Sequence, residues 1–187
     1  MKKSYLCIPF LPFLFVAVAH AHGPVRQKLE QEITINAPAQ KVWGIIKEYG
    51  DMSWLPTVKN TTVQGGNTVG ATRVLTLQNG GTITEELKKY DEGKMSYAYK
   101  ITEMSTSKTI THAGAEEKVP VLPVDNYAAS IDLEAKGETT VVTWKAGYYR
   151  AYLNNKPPEE MNEEAANTAV KAIFTEGLAN LKTLAEK

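Results

Sequence analysis

Of the 187 residues only one is cysteine and only three are histidine. Cys7 stands ahead of an apolar run instead of after it, so it is not placed for lipid attachment. If the leader described below is removed, no thiol remains. Disulfides, thiolate catalysis and cysteine-based zinc sites are then excluded, and the fold must stand on its packing alone. With so few histidines no nucleophile–base–orienter set can be assembled by motif. Phosphate-cradling glycine loops, metalloprotease helices and dinucleotide fingerprints are absent as well, and the reading carries no cofactor. Charge of one sign is also missing: 21 Lys and Arg stand against 21 Asp and Glu. No basic stripe suits a nucleic acid. The charge runs Glu116-Glu117-Lys118 and Glu159-Glu160 read as solvated faces or as a docking surface for a cationic partner.

Long apolar runs are confined to the N-terminus. Lys2 and Lys3 precede the run Leu6 to Ala19, and Ala19-His20-Ala21 is a small-x-small cleavage pattern. This is the pattern of a secretory signal peptide over residues 1–21, followed by one domain over 22–187. Pro9 and Pro12 and the short run argue against a membrane anchor, which needs about 20 apolar residues. The expected location is a bacterial periplasm. Cleavage after Ala21 would make His22 the first residue, a weak copper candidate; cleavage after Ala19 would give His20-Ala21-His22, which also suits Cu(II). No other metal site is expected.

The remaining sequence is rich in strands and turns. Glu32 to Asn36 alternates as a short strand. Pro38 suits the first turn of a helix, carrying Val42, Ile45, Ile46 and Tyr49 at helical spacing. Gly50 stops it, and a second short helical turn ends at Pro56. Six β-rich runs follow: 58–64, 71–77, 82–90, 94–104, 126–135 and 139–150. Gly65-Gly66, Asn79-Gly80, Gly93 and Gly137 punctuate them, the signature of an antiparallel meander. Residues 105–124 read as irregular. A last helix opens near Pro157-Pro158-Glu159-Glu160 and carries Ala166, Val170, Ile173, Phe174, Leu178, Leu181 and Leu184 on one face. The expected fold is α+β: a seven-stranded curved antiparallel sheet gripping a long C-terminal helix, with two short helices after the first strand.

Several motifs carry a family resemblance. They are Ala37-Pro38-Ala39-Gln40-Lys41-Val42-Trp43 closed by Met52-Ser53-Trp54-Leu55-Pro56, the strands Gly70 to Leu77 and Gly81 to Leu87, Tyr97 to Ile101, Leu122 to Tyr127, and Val141 to Trp144. Together they resemble the START-like, Bet v 1-like superfamily and its polyketide-cyclase (SRPBCC) group. Asn154-Asn155-Lys156-Pro157-Pro158 and Gly177 to Lys182 resemble the MxaD-type periplasmic proteins. That resemblance implies an accessory role in methanol oxidation, with methanol dehydrogenase or its cytochrome c acceptor as partner. Relatives often carry His where this chain has Leu55, and residues 105–121 look longer than in relatives.

Candidate site residues follow from the strand pattern. Arg73 and Glu85 flank the Gln78-to-Gly81 turn almost symmetrically, so a hairpin would set them opposite each other on the apolar face with Leu75, Leu77, Ile83 and Leu87. Two readings remain: a pair that anchors a ligand's carboxylate or carbonyl, and a self-neutralising structural pair. Trp43, Trp54 and Trp144 are lining for an apolar ligand or ordinary core. Tyr97, Tyr99 and Tyr127 share that ambiguity, and Tyr97 and Tyr99 lie on one face. Near the expected mouth, Tyr148, Tyr149, Arg150 and Tyr152 precede the Pro-Pro loop, and His112 lies in the irregular stretch; these suit a docking surface or a strand end packed on the helix. Three functions compete: a non-enzymatic accessory protein, a carrier of a small apolar molecule, and a cyclase-like enzyme with Glu85 as base.

Overall fold

The computed structural model describes residues 23–187. The expected leader, Cys7 and the copper candidate His22 lie outside the described residues. The order is β1 (Gln27–Ile35), α1 (Ala39–Ile46), β2 (Val58–Gln64), β3 (Thr72–Leu77), β4 (Thr82–Asp91), β5 (Ser96–Met104), β6 (Thr106–His112), β7 (Ala115–Pro120), β8 (Val124–Lys136), β9 (Thr139–Arg150) and α2 (Glu163–Ala185). Seven strands form one antiparallel sheet in the order β1-β9-β8-β5-β4-β3-β2. The expected architecture is therefore the observed one, with three local corrections.

The first correction concerns the stretch after α1. One helix forms there, not two. The Ser53 amide donates to Asp51 Oδ1 (2.9 Å), and the Leu55 amide donates to the Met52 carbonyl (2.9 Å). An Asp side chain offering a local acceptor competes with helix hydrogen bonding, so the chain passes through successive turns up to Pro56.

The second correction concerns residues 105–124. They hold a separate hairpin of β6 and β7, turning at Ala113 (φ +50°) and Gly114 (φ +83°). Two positive φ values suit the turn of a two-residue hairpin. The strands escaped notice because they lack an apolar face; among their residues only Val119 is buried.

The third correction concerns the start of α2. Glu159–Met161 form a separate 3-10 turn, and α2 begins after Asn162, whose side chain accepts from the Ala165 amide (2.8 Å). This is an ordinary N-cap, with Glu163 and Glu164 in the first turn facing the positive end of the helix.

α2 lies across the concave face of the sheet. Ala166, Val170, Phe174, Leu178 and Leu181 are buried along it. Gly177 lets the helix approach closely: a Cβ there would sit 2.7 Å from Leu55 Cδ1 and 2.9 Å from the Trp144 ring. Register shifts in β2/β3, β4/β5 and β8/β9 bend the sheet around the helix. β5 pairs with β8 only over Ser96–Lys100. Beyond that the two strands part, and the β6–β7 hairpin emerges from the gap.

Candidate functional site

Arg73 and Glu85 are direct cross-strand partners on β3 and β4. Period-two alternation puts both on the inner face with Leu75, Leu77, Ile83 and Leu87, all buried. Arg73 Nε donates to Glu85 Oε2 at 2.6 Å. Its Nη1 donates to the Tyr49 carbonyl (2.8 Å) and touches Met52 Sδ (2.9 Å). The guanidinium also lies over the rings of Tyr49 (4.1 Å) and Tyr99 (5.0 Å), two cation–π contacts within the useful range. Burial pushes the Glu85 carboxyl above the usual carboxylate range, against the opposing pull of Arg73. Burial opposes the Arg73 cation, but Glu85 and the surrounding tyrosines outweigh it and Arg73 stays charged. Burial likewise pushes the hydroxyls of Tyr49, Tyr97, Tyr99 and Tyr127 up, so all four stay protonated.

This pair borders a small cavity between the sheet and α2. Its volume is about 40 Å³, and Leu75, Leu77, Ile83, Tyr99, Tyr127, Leu122, Trp144 and Ile173 line it with Arg73 and Glu85. That is room for water-sized occupants and far less than the several hundred Å³ of an ordinary small-molecule site. Ile101 and Tyr127 separate it from an outer cleft of about 370 Å³, which opens where β5 and β8 part beside the hairpin.

The structure brings five of the eight cavity candidates together: Arg73, Glu85, Tyr99, Tyr127 and Trp144. The Trp144 indole N–H donates to Tyr99 Oη (3.1 Å), and its ring stacks on Phe174 of α2 (4.1 Å between centroids). The other three candidates do not line the cavity. Trp54 packs behind Trp144 (5.4 Å). Trp43 and Tyr97 pack on each other (6.2 Å) under α1. Tyr97 and Tyr99 do share a face, but Tyr97 meets Tyr49 edge-on (6.2 Å) and does not line the cavity. Tyr49 and Met52 were not anticipated as partners of Arg73. One contact is through a backbone carbonyl, for which side-chain pattern carries no signal.

The expected mouth cluster divides by strand alternation. Tyr148 is buried, stacks on Tyr127 (5.9 Å), and donates to Asn167 Oδ1 of α2 (3.0 Å). Arg150 is buried too; it pairs with Glu163 and donates to the carbonyls of Tyr152 (2.6 Å) and Asn154 (2.8 Å). These two are thus corrected from docking surface to interior. Tyr149 points outward and carries Arg26 over its ring (5.3 Å). Tyr152 is half-buried and meets His112 edge-on (5.3 Å). The His112 Nε2–H donates to the Lys156 carbonyl (2.8 Å), tying the hairpin to the Pro-Pro loop. Lys108 and Glu160 add a second tie (3.1 Å). Among the described residues no group of three His, Cys, Asp or Glu could hold a metal ion, and no helix is long and apolar enough to cross a membrane.

A curved sheet closed on a long helix, with a polar pair set in an apolar interior, defines the class. The family model described as "Polyketide cyclase / dehydrase and lipid transport" matches residues 26–186, and the chain belongs to that family. No curated protein matches by sequence. Among solved structures the chain is similar to the protein XoxI from Bacillus cereus, with 22% identity, a TM-score of 0.65, and coverage of 84% of this chain and 94% of that one. It is also similar to Ara h 8.0201, with 15% identity, a TM-score of 0.62, and coverage of 85% and 97%. A third is norcoclaurine synthase from Thalictrum flavum, with 16% identity, a TM-score of 0.57, and coverage of 89% and 94%. At these identities the likeness is one of fold.

Proposed function

We propose that this protein is a carrier that holds a small, largely apolar molecule between the sheet and α2, and that it acts without catalysis. The observation behind this reading is the buried Arg73–Glu85 pair at one end of an otherwise apolar cavity. Membership of a family whose description includes lipid transport supports it. Side chains nearly fill the cavity, leaving about 40 Å³. Loading therefore requires Tyr127 and Ile101 to move, joining it to the outer cleft; that reaches the volume of an ordinary ligand site. Glu85 is engaged by Arg73, and among the described residues no Cys, Ser, Lys or His lines the cavity with it, which favours holding a ligand over transforming it. Native mass spectrometry of protein from its own host, followed by extraction, tests the reading. A bound small molecule released on unfolding is expected; only bare protein, with no uptake of any apolar dye, would overturn it.

The accessory role in methanol oxidation is a second reading. It comes from the resemblance of Asn154 to Pro158 to the MxaD-type proteins, with a periplasmic location and methanol dehydrogenase or its cytochrome c as partner. One structural feature favours it: Leu153, 48% exposed, stands beside Tyr152 and the Pro-Pro loop. A small apolar and aromatic contact suits a transient redox encounter. A pull-down from periplasmic extract with low- and high-salt washes checks this. Recovery of neither partner, or recovery unchanged by Tyr149→Ala with Leu153→Ser, would remove it.

A further inference from the structure

Resting on the carrier reading, we infer that the cavity selects an uncharged amphiphile, with an apolar body and one hydroxyl-type donor that bonds to Glu85, and rejects fatty carboxylates and amines alike. The argument is an accounting of the polar pair. Arg73 gives Nε to Glu85 Oε2 and Nη1 to the Tyr49 carbonyl and Met52 Sδ, while its Nη2 has no hydrogen-bond partner among the described residues. The rings of Tyr49 and Tyr99 lie against the guanidinium, at 4.1 and 5.0 Å. An anion would thus find the cation's charge already matched by a carboxylate 2.6 Å away. It would enter as an unpaired buried charge next to Glu85, which is strongly disfavoured. A cationic head would meet the same neutralised pair from the other side.

Glu85 also has capacity to spare. Its side chain is 6% exposed and lines the cavity. Arg73 holds only one of its oxygens; no donor reaches Oε1 among the described residues. A carboxyl oxygen can accept two bonds, so this residue of the cavity lining has acceptor capacity to spare. A ligand hydroxyl satisfies it without adding charge. Leu75, Leu77, Ile83 and Ile173 then contact the ligand's apolar body.

The test uses the full chain, loaded with the uncharged dye N-phenyl-naphthylamine and challenged with decanol, decanoate and decylamine. Decanol should displace the dye at about tenfold lower concentration than either charged analogue. Glu85→Gln should bring decanoate up by about tenfold, because Arg73 loses its counter-charge. The wild-type ranking stands by itself if that variant does not fold. Parity of the three, or preference for decanoate or decylamine, overturns this inference while leaving the carrier reading in place. No dye uptake at all overturns both.

Discussion

Two arginines sit on the inner face of the same sheet, each paired with a glutamate, and they do different work. Arg73 lies deep in the curve, with 1% of its side chain exposed and 6% of Glu85's. Arg150 lies at the rim, at 6%, against 34% for Glu163. Arg150 spends its donors on Glu163 and on the Tyr152 and Asn154 carbonyls, fastening the end of β9 to the start of α2. Arg73 holds its partner by one oxygen and leaves the other without a donor among the described residues, on a residue that lines a cavity. The difference shows that what an ion pair does depends on what surrounds it. At the rim, water can replace a lost partner. In the cavity only a trapped water or a ligand can.

The largest expected effect breaks the inner pair. Arg73→Met should cost about 3–5 kcal/mol, because Glu85 is left buried and unpaired. The double variant Arg73→Met with Glu85→Leu should recover most of that. Urea unfolding midpoints check both, and a single variant as stable as the double one would show that Glu85 reaches water. Arg150→Met should cost less, about 1.5–3 kcal/mol for its charge-assisted bonds, with loss of amide protection confined to residues 150–165. A fall in protection at the cavity strands instead would erase the contrast between the two arginines. Asn162→Ala removes the cap beside that clasp and should cost about 1 kcal/mol, visible as fraying of the first turn of α2 by hydrogen exchange. The subtlest effect is on pH dependence. A carboxyl whose pKa is raised on folding binds its proton more tightly in the native state, as burial makes Glu85 do. Its stabilising contribution is complete below the unfolded value of about 4.3 and is lost as pH rises through the raised folded value. Wild type should therefore lose stability relative to Glu85→Gln as pH rises above about 4.3, followed by unfolding midpoints across that range. The reverse slope would mean that Arg73 outweighs burial.

Much of this was legible in the chain. The hairpin register that opposes Arg73 and Glu85 follows from a four-residue turn and period-two alternation. The apolar stripe of α2 was plain, as was the seven-strand meander. The β6–β7 hairpin was not, because both faces of Thr106–His112 are polar and its turn begins with Ala113 in a conformation that alanine seldom adopts. Alternation should have split Tyr148 and Arg150 from Tyr149. The rule that places Arg73 applies there too, whereas composition alone groups all of them. Asn162, followed by two glutamates, was a helix-start signal passed over in favour of the prolines.

By itself the sequence determined the class of fold and the pairing of the two inner charges, since local turn chemistry and residue periodicity specify strand register and which face is buried. Only the tertiary structure decided how much space remains inside, which of eight candidate side chains reach it, and which oxygen of Glu85 is spare. Those depend on how α2 settles at Gly177 and how far β5 and β8 part, and close packing between segments distant in sequence leaves no periodic trace along the chain.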